Sequence, residues 1–336
     1  MRIAIIKLSA MGDIIHAAVV LQFIKAVYPN SRIDWIVEEG FAPLLSGNTD
    51  IDAVHTVSLK RFKKEKRLNL LVTMIRELRA LGPYDHIIDM QGLLKSAIIA
   101  RLIGKNIHGF DRHSMREGAA AFFYRHTYAV SYDRNVILRG ADLVSGSLDL
   151  RINESDLAAK KPFLFTNDDA KISVSEYTKR DKPLILVMVG ASWASKIYPA
   201  ELMAQVINEL GHGALVIWGS EGEKAMAETI LSLSPSARMA KKLTLPELIA
   251  VVEKADMVIG GDTGPVHMAW ALNRPSVTVF GPTPSFRNTL TTGINEVVDT
   301  GKPVDPSNLD RHDMSIREIA PETIVSVAKS LLEKKQ

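Results

Sequence analysis

The 336-residue chain has no cysteine, so disulfides and thiolate metal sites are excluded and a reducing cytoplasm is the expected compartment. Long apolar runs are missing as well. No stretch offers 18 uninterrupted apolar residues, so no bilayer-spanning segment is expected. The opening residues lack the basic lead, apolar core and small-residue cleavage site of a secretory signal. Neither G-x-G-x-x-G nor G-x-x-x-x-G-K-[ST] occurs, which counts against a standard dinucleotide enzyme and a P-loop kinase. No histidine pair has metal-ligand spacing with carboxylates, so neither a metal nor a cofactor is expected. Aromatic residues amount to 6% and do not interleave with the basic ones, so nucleic acid is not an expected partner.

What is present is an ordinary globular composition, 46% hydrophobic and 24% charged, at a length that suits two domains. The net charge of +3 hides an asymmetry. Residues 1–165 carry 23 Lys and Arg against 17 Asp and Glu, or +6; residues 166–336 carry 18 against 21, or −3. The excess concentrates in Lys60-Arg61-Phe62-Lys63-Lys64-Glu65-Lys66-Arg67, six bases and one acid. Such a cluster favours a polyanion or an anionic membrane surface, unless it is simply a solvated helix start.

Short β-branched runs alternate with helical stretches. Strands are predicted at 2–7, 33–37, 53–57, 86–89 and 106–109, with helices at 14–27, 70–81 and 95–103. After a polar stretch at 166–182, read as a linker, the pattern restarts. Strands are predicted there at 184–189, 214–218, 257–259 and 276–280, with helices at 200–210, 221–233, 245–252 and 266–272. Residues 283–315 are rich in Pro, Gly, Asn and Asp and read as an irregular loop, followed by a terminal helix at 321–334. The fold class is therefore α/β, with two doubly wound, Rossmann-like halves at 1–165 and 183–317.

In such sheets ligands bind at the carboxyl ends of the strands. Asp13 sits at the first such end, where it can take a proton from a substrate hydroxyl or merely cap the helix that follows. In the second half, Gly260-Gly261-Asp262-Thr263-Gly264-Pro265-Val266-His267 joins a buried strand to a helix start that favours a phosphate. The alternative is that Asp262 or Thr263 only caps that helix and His267 belongs to the core. Two further loops carry Lys196, a compact cation suited to a diphosphate, and Glu221 and Glu223, carboxylates able to hold ribose hydroxyls. Together these three loops read as a nucleotide-diphosphate site.

Several strings carry a resemblance. They are Lys7-Leu8-Ser9-Ala10-Met11-Gly12-Asp13, Asp34-Trp35-Ile36-Val37-Glu38-Glu39-Gly40-Phe41-Ala42, Asp89-Met90-Gln91-Gly92-Leu93-Leu94-Lys95-Ser96, His108-Gly109-Phe110-Asp111, Arg116-Glu117 and Phe123-Tyr124. The second half adds Lys196, Trp218-Gly219, the Asp262–His267 string and Phe280-Gly281-Pro282-Thr283. Over about residues 1–283 the chain resembles the lipopolysaccharide heptosyltransferases of glycosyltransferase family 9, and among them those that add the first heptose. The resemblance implies a GT-B fold of two domains facing across a cleft that closes, with a C-terminal helix, 318–336, returning to the first. It implies inverting transfer of L-glycero-D-manno-heptose from ADP-heptose to a Kdo hydroxyl of Kdo2-lipid A, by a monomer peripheral to the inner leaflet of the cytoplasmic membrane. It makes Asp13 the base and Lys196 the phosphate lysine. It assigns donor contacts to Gly12, Ser192, Glu223, Asp262, Thr263, Gly264 and His267, and acceptor contacts to Arg61, Lys63, Lys64 and Arg116. The chain departs from the family pattern around Lys196, which lies between Ala191-Ser192-Trp193-Ala194-Ser195 and Ile197-Tyr198-Pro199, and the resemblance assigns no role to 284–317. A later-acting heptosyltransferase of the family, a non-catalytic sugar-nucleotide-binding protein and an NAD-linked dehydrogenase stand as alternatives.

Overall fold

The computed structural model describes residues 1–179 and 183–334. They fall into two compact units, divided in sequence between Phe163 and Leu164. Each unit is built on one six-stranded, all-parallel sheet. The first comprises β1 (Arg2–Ile6), β2 (Arg32–Glu38), β3 (Ala53–Val57), β4 (His86–Asp89), β5 (Ile107–Phe110) and β6 (His126–Tyr128). Its spatial order is β3-β2-β1-β4-β5-β6. The second comprises β7 (Ile185–Met188), β8 (Ala214–Ile217), β9 (Ala237–Met239), β10 (Met257–Gly261), β11 (Ser276–Phe280) and β12 (Asn295–Asp299). Its order, β12-β11-β10-β7-β8-β9, has the same topology.

The central strands are short apolar runs because helices cover both faces, leaving no side of the pleat for polar residues. Ile3 to Ile6, Ile185 to Met188 and Met257 to Gly261 are all buried. In each sheet the chain reverses direction once, between β1 and β4 in the first and between β7 and β10 in the second. Such a reversal point, at the carboxyl ends of its two strands, is the usual place for a ligand in this architecture.

Three strands escape the sequence pattern. β6 and β9 have three residues each, and β12 lies inside the stretch expected to be an irregular loop. All three are edge strands, where one-sided pairing weakens the apolar signal. Two expectations about domain limits are corrected. The described part of 166–182 forms the helices Asp168–Ser173 and Ser175–Thr178, which belong to the second unit. Thr166 Oγ1 donates to the Pro246 carbonyl at 2.8 Å, and Ser173 and Lys241 both bond Glu247. Residues 180–182 of that expected linker lie outside the described residues. The terminal helix Pro321–Glu333, expected to return to the first half, packs on the helix Ala200–Leu210 and on β11 and β12. Its Ile324, Val325, Ala328 and Leu331 complete the second unit's core, the burial that fixes its place.

A row of imidazoles crosses three strands of the first sheet. His86 Nδ1 lies 3.1 Å from His108 Nε2, His108 Nδ1 lies 2.9 Å from the Tyr128 hydroxyl, and His126 stacks on His108 at 4.6 Å. Burial, then the neighbouring His86 and His126, push His108 from its ordinary 6.5 down to about 4. Between those values the unfolded chain binds the proton and the folded one does not, so stability is full above pH 6.5 and drains away towards pH 4. Chemical denaturation across that window is expected to show this loss, and His108→Gln to flatten it.

Candidate active site

The carboxyl edge of the first sheet gathers the residues expected on it. Asp13 lies in the first turn of the helix Met11–Ala18, directly after β1 and beside Gly12, and is half-buried. Its Oδ2 accepts the Ala10 backbone N–H at 3.1 Å, so the capping role is real. A single oxygen suffices for that bond, and the carboxylate keeps a solvent-facing side.

The loop before Asp13 is clamped from the other side of the reversal point. Gln91, just past β4, accepts the backbone N–H groups of Leu8 and Ser9 through one oxygen, at 2.9 and 3.1 Å. Lys7 Nζ reaches the Met90 carbonyl at 3.1 Å. Beneath Gln91, the fully buried Asp89 accepts four hydrogen bonds, from Gln91 N, Gly92 N, Ser96 Oγ and the Tyr124 hydroxyl, at 2.7 to 3.2 Å. Burial raises its pKa, against the pull of those bonds. Asp89, Gln91 and Tyr124 were visible in the matching strings but had been given no role.

The expected acceptor contacts share this edge. The helix Leu59–Glu65 follows β3 directly and buries none of its residues. It is moored by its start: Lys60 N donates to Glu38 Oε1 at 2.9 Å, and Ser58 Oγ to Glu39 Oε2 at 2.8 Å. Arg61 lies 3.6 Å from Glu39, while Lys63 and Lys64 are exposed. Arg116 is exposed on the segment after β5, next to Glu117, which accepts the Leu94 N–H at 2.8 Å.

The second sheet concentrates its charge at one point. Lys196 Nζ lies 2.6 Å from Asp262 Oδ2, with side chains 11% and 7% exposed. Asp262 Oδ1 lies 3.2 Å from His267 Nε2, and Oδ2 also accepts from Thr283 Oγ1 at 2.9 Å and Asn288 Nδ2 at 3.2 Å. Burial alone would raise the carboxyl's pKa, but the His267 bond and the Lys196 charge overcome it and hold the group well below the carboxylate range. The ion pair spans β7 and β10, the reversal point of this sheet. Gly261 makes the approach possible, since a Cβ there would stand 2.7 Å from the Lys196 carbonyl oxygen.

Thr263 and Gly264 open the helix Gly264–Ala271, and the Thr263 hydroxyl is not used as a cap. Glu223 closes a capping box with Ser220: its Oε2 accepts Gly219 N and Ser220 N at 2.6 and 3.1 Å, and Ser220 Oγ accepts Glu223 N. Its Oε1 leans over Gly190, where a Cβ would come within 2.0 Å, so the loops after β7 and β8 are fitted to each other. Ser192 is exposed on the first of these loops. Trp193, beside it, faces two cations, Lys196 Nζ at 5.5 Å and the Arg311 guanidinium at 4.6 Å from the ring centre. Thr283, Asn288 and Arg311 thus bring the stretch 283–315 to the site; of the three only Thr283 is visible in the matching strings, without a role there.

Comparison with known proteins agrees with this geometry. The family model for glycosyltransferase family 9 (heptosyltransferase) matches residues 71–299. The chain belongs to that family. It is 38% identical to lipopolysaccharide heptosyltransferase 1 of Campylobacter coli, over 98% of this chain and 99% of that protein. It is 30% identical to lipopolysaccharide heptosyltransferase 1 of Escherichia coli K12, over 84% of this chain and 88% of that one. The solved structure of the E. coli heptosyltransferase WaaC with ADP superposes with a TM-score of 0.80 over the full length of both chains, at 24% identity. The fold is accordingly GT-B, and the chain is a glycosyltransferase of the heptosyltransferase family.

Removing the charge at Asp262 leaves the nearly buried Lys196 without its carboxylate. Asp262→Asn is expected to cost the second unit about 3 kcal/mol, read as a lower thermal midpoint. The folded pKa of Asp262 lies below its ordinary 3.8, so its stabilisation is full above that value and is lost as pH falls through the depressed one. The variant should lack this acid-side slope.

Proposed function

We propose that this chain transfers L-glycero-D-manno-heptose from ADP-heptose to a Kdo hydroxyl of Kdo2-lipid A, with inversion, in assembly of the lipopolysaccharide inner core. The enzyme works as a monomer, peripheral to the inner leaflet of the cytoplasmic membrane. The observation that carries the reading is the pairing of chemistries at the two reversal points. One carries a half-buried carboxylate, Asp13; the other a nearly buried lysine held against Asp262, whose second oxygen meets His267. Both relatives described above carry the name lipopolysaccharide heptosyltransferase 1, which supports the first-heptose acceptor over a later one.

Direct displacement at an anomeric carbon needs a proton acceptor for the incoming hydroxyl and a sink for the charge left on the departing diphosphate. Asp13 takes the hydroxyl proton as the new glycosidic bond forms. The bond from the anomeric carbon to the diphosphate oxygen breaks, and its electron pair leaves with ADP. Lys196 neutralises that charge where few waters compete, with the Thr263 hydroxyl and the helix start at Gly264 as further donors. Asp262 and His267 fix the position of the ammonium, and Glu223, with Ser192 and Gly12, completes the donor contacts. Arg61, Lys63, Lys64 and Arg116 hold the anionic groups of the acceptor. Gln91 acts indirectly, by fixing the backbone that carries Asp13.

Incubation with ADP-heptose and Kdo2-lipid A, followed by mass spectrometry of the lipid, is expected to show an increment of one heptose; an unchanged lipid mass would refute the proposal. Asp13→Asn should keep its affinity for ADP while turnover falls by about 10²–10⁴-fold. Undiminished turnover in that variant would remove Asp13 from the chemistry.

A further inference from the structure

In the first unit the helices Leu68–Ala80 and Leu94–Ile103 pack side by side, and the turn Gly118–Phe123 packs along the second. Their inner sides are ordinary core: Met74 and Leu78 on one, Ala97, Ala100 and Ile103 on the other. Their outer sides are not ordinary surface. Phe122 is 87% exposed, Leu68 73% and Val72 64%, and Leu94 and Ile98 are exposed beside them. Leu68 with Val72, and Leu94 with Ile98, are each four residues apart, so each pair lies on one side of its helix. Scattered single apolar residues need no explanation, but five on three adjoining elements do.

The charge around them has one dominant sign. Residues 60–80, 94–103 and 116–123 together carry 11 Lys and Arg against 3 Asp and Glu. Arg76 and Arg79 continue the outer side of the first helix beyond Leu68 and Val72, and Lys95 and Arg101 are exposed on the second. Of the three acids, Glu65 lies 3.5 Å from Arg67 and Glu117 accepts the Leu94 N–H, which leaves Glu77. Leu68 and Leu94 begin their helices, so they stand near the carboxyl edge of the sheet, the edge that carries Asp13.

We infer that this face docks on an anionic phospholipid bilayer, with Leu68, Val72, Leu94, Ile98 and Phe122 entering the interface and the surrounding bases meeting the headgroups. Apolar side chains ringed by lysine and arginine suit such a surface, because each contribution is weak alone and stable attachment needs both. A second copy of the chain is disfavoured as the occupant, since it would bring the same positive charge. The face itself is argued from exposure and charge; only its use, to place the enzyme beside a lipid acceptor, rests on the proposed function.

Co-sedimentation of the full chain with vesicles tests this. Vesicles of phosphatidylcholine with phosphatidylglycerol, containing no acceptor, should bind the protein, and vesicles of phosphatidylcholine alone should bind it far less. The triple variant Leu68→Ser, Val72→Ser, Phe122→Ser and the double variant Arg76→Gln, Arg79→Gln should each reduce binding about tenfold. Both should keep the wild-type thermal midpoint and the wild-type turnover on detergent-dispersed acceptor. Equal partitioning of wild type and variants, equal binding to neutral vesicles, or a dimer that the triple variant dissolves would each overturn the inference. Vesicle binding lost as expected in a protein that proves to transfer no heptose would support the docking face and refute the proposed reaction.

Discussion

The candidate site of the second unit is organised around one carboxylate kept ionised where water scarcely reaches it. Asp262 at 7% exposure would prefer its neutral form, and only a dense set of partners reverses that preference. Lys196 comes from the loop after β7, His267 from the helix after β10, and Thr283 and Asn288 from the segment after β11. Three connections, leaving three adjacent strands of the sheet, must therefore close correctly around a single charge. Such a group specifies geometry more than it adds stability, because the desolvation of two ions consumes much of what their attraction returns. What it secures is a lysine whose ammonium cannot wander.

The first unit solves the corresponding problem without a buried ion pair. Its candidate carboxylate, Asp13, is half-buried, and what is fixed is the backbone beneath it. Asp89, saturated by four hydrogen bonds, holds Gln91, and Gln91 holds the N–H groups of Leu8 and Ser9. The glycines serve the same end. Gly109 lies so close to the Tyr124 ring that a Cβ would stand 2.3 Å from it, and that contact seats the tyrosine which bonds Asp89.

Much of this was legible in the sequence because parallel sheets write their central strands as apolar runs and their ligand edge as glycine-rich loops. The eight central strands are legible that way, and so is the place of Asp13, Lys196 and the Asp262–His267 string at the carboxyl edges of the sheets. The misses have physical causes. β6, with the sequence His-Thr-Tyr, and β9, with Ala-Arg-Met, are edge strands too short and polar to show a period. Thr283, Asn288 and Arg311 lie in a stretch whose composition says only loop, and their value comes from where β11 and β12 deliver them. The apolar stripe of the terminal helix says that it packs without saying on which unit.

The contrast in burial between the two candidate groups follows from what each would do in the proposed reaction. A general base must release its proton and meet a fresh hydroxyl in every cycle, so a carboxylate sealed from solvent would stall after one turnover. Asp13, at the open start of a helix, retains that exchange. A charge sink gains from the opposite setting, since the attraction between an ammonium and a departing diphosphate grows as water is excluded. Lys196 at 11% exposure has that setting, and Asp262 offsets its burial with an opposite charge 2.6 Å away. In the proposed reaction the diphosphate then takes the role Asp262 already plays, meeting an ammonium that is already placed and largely stripped of water.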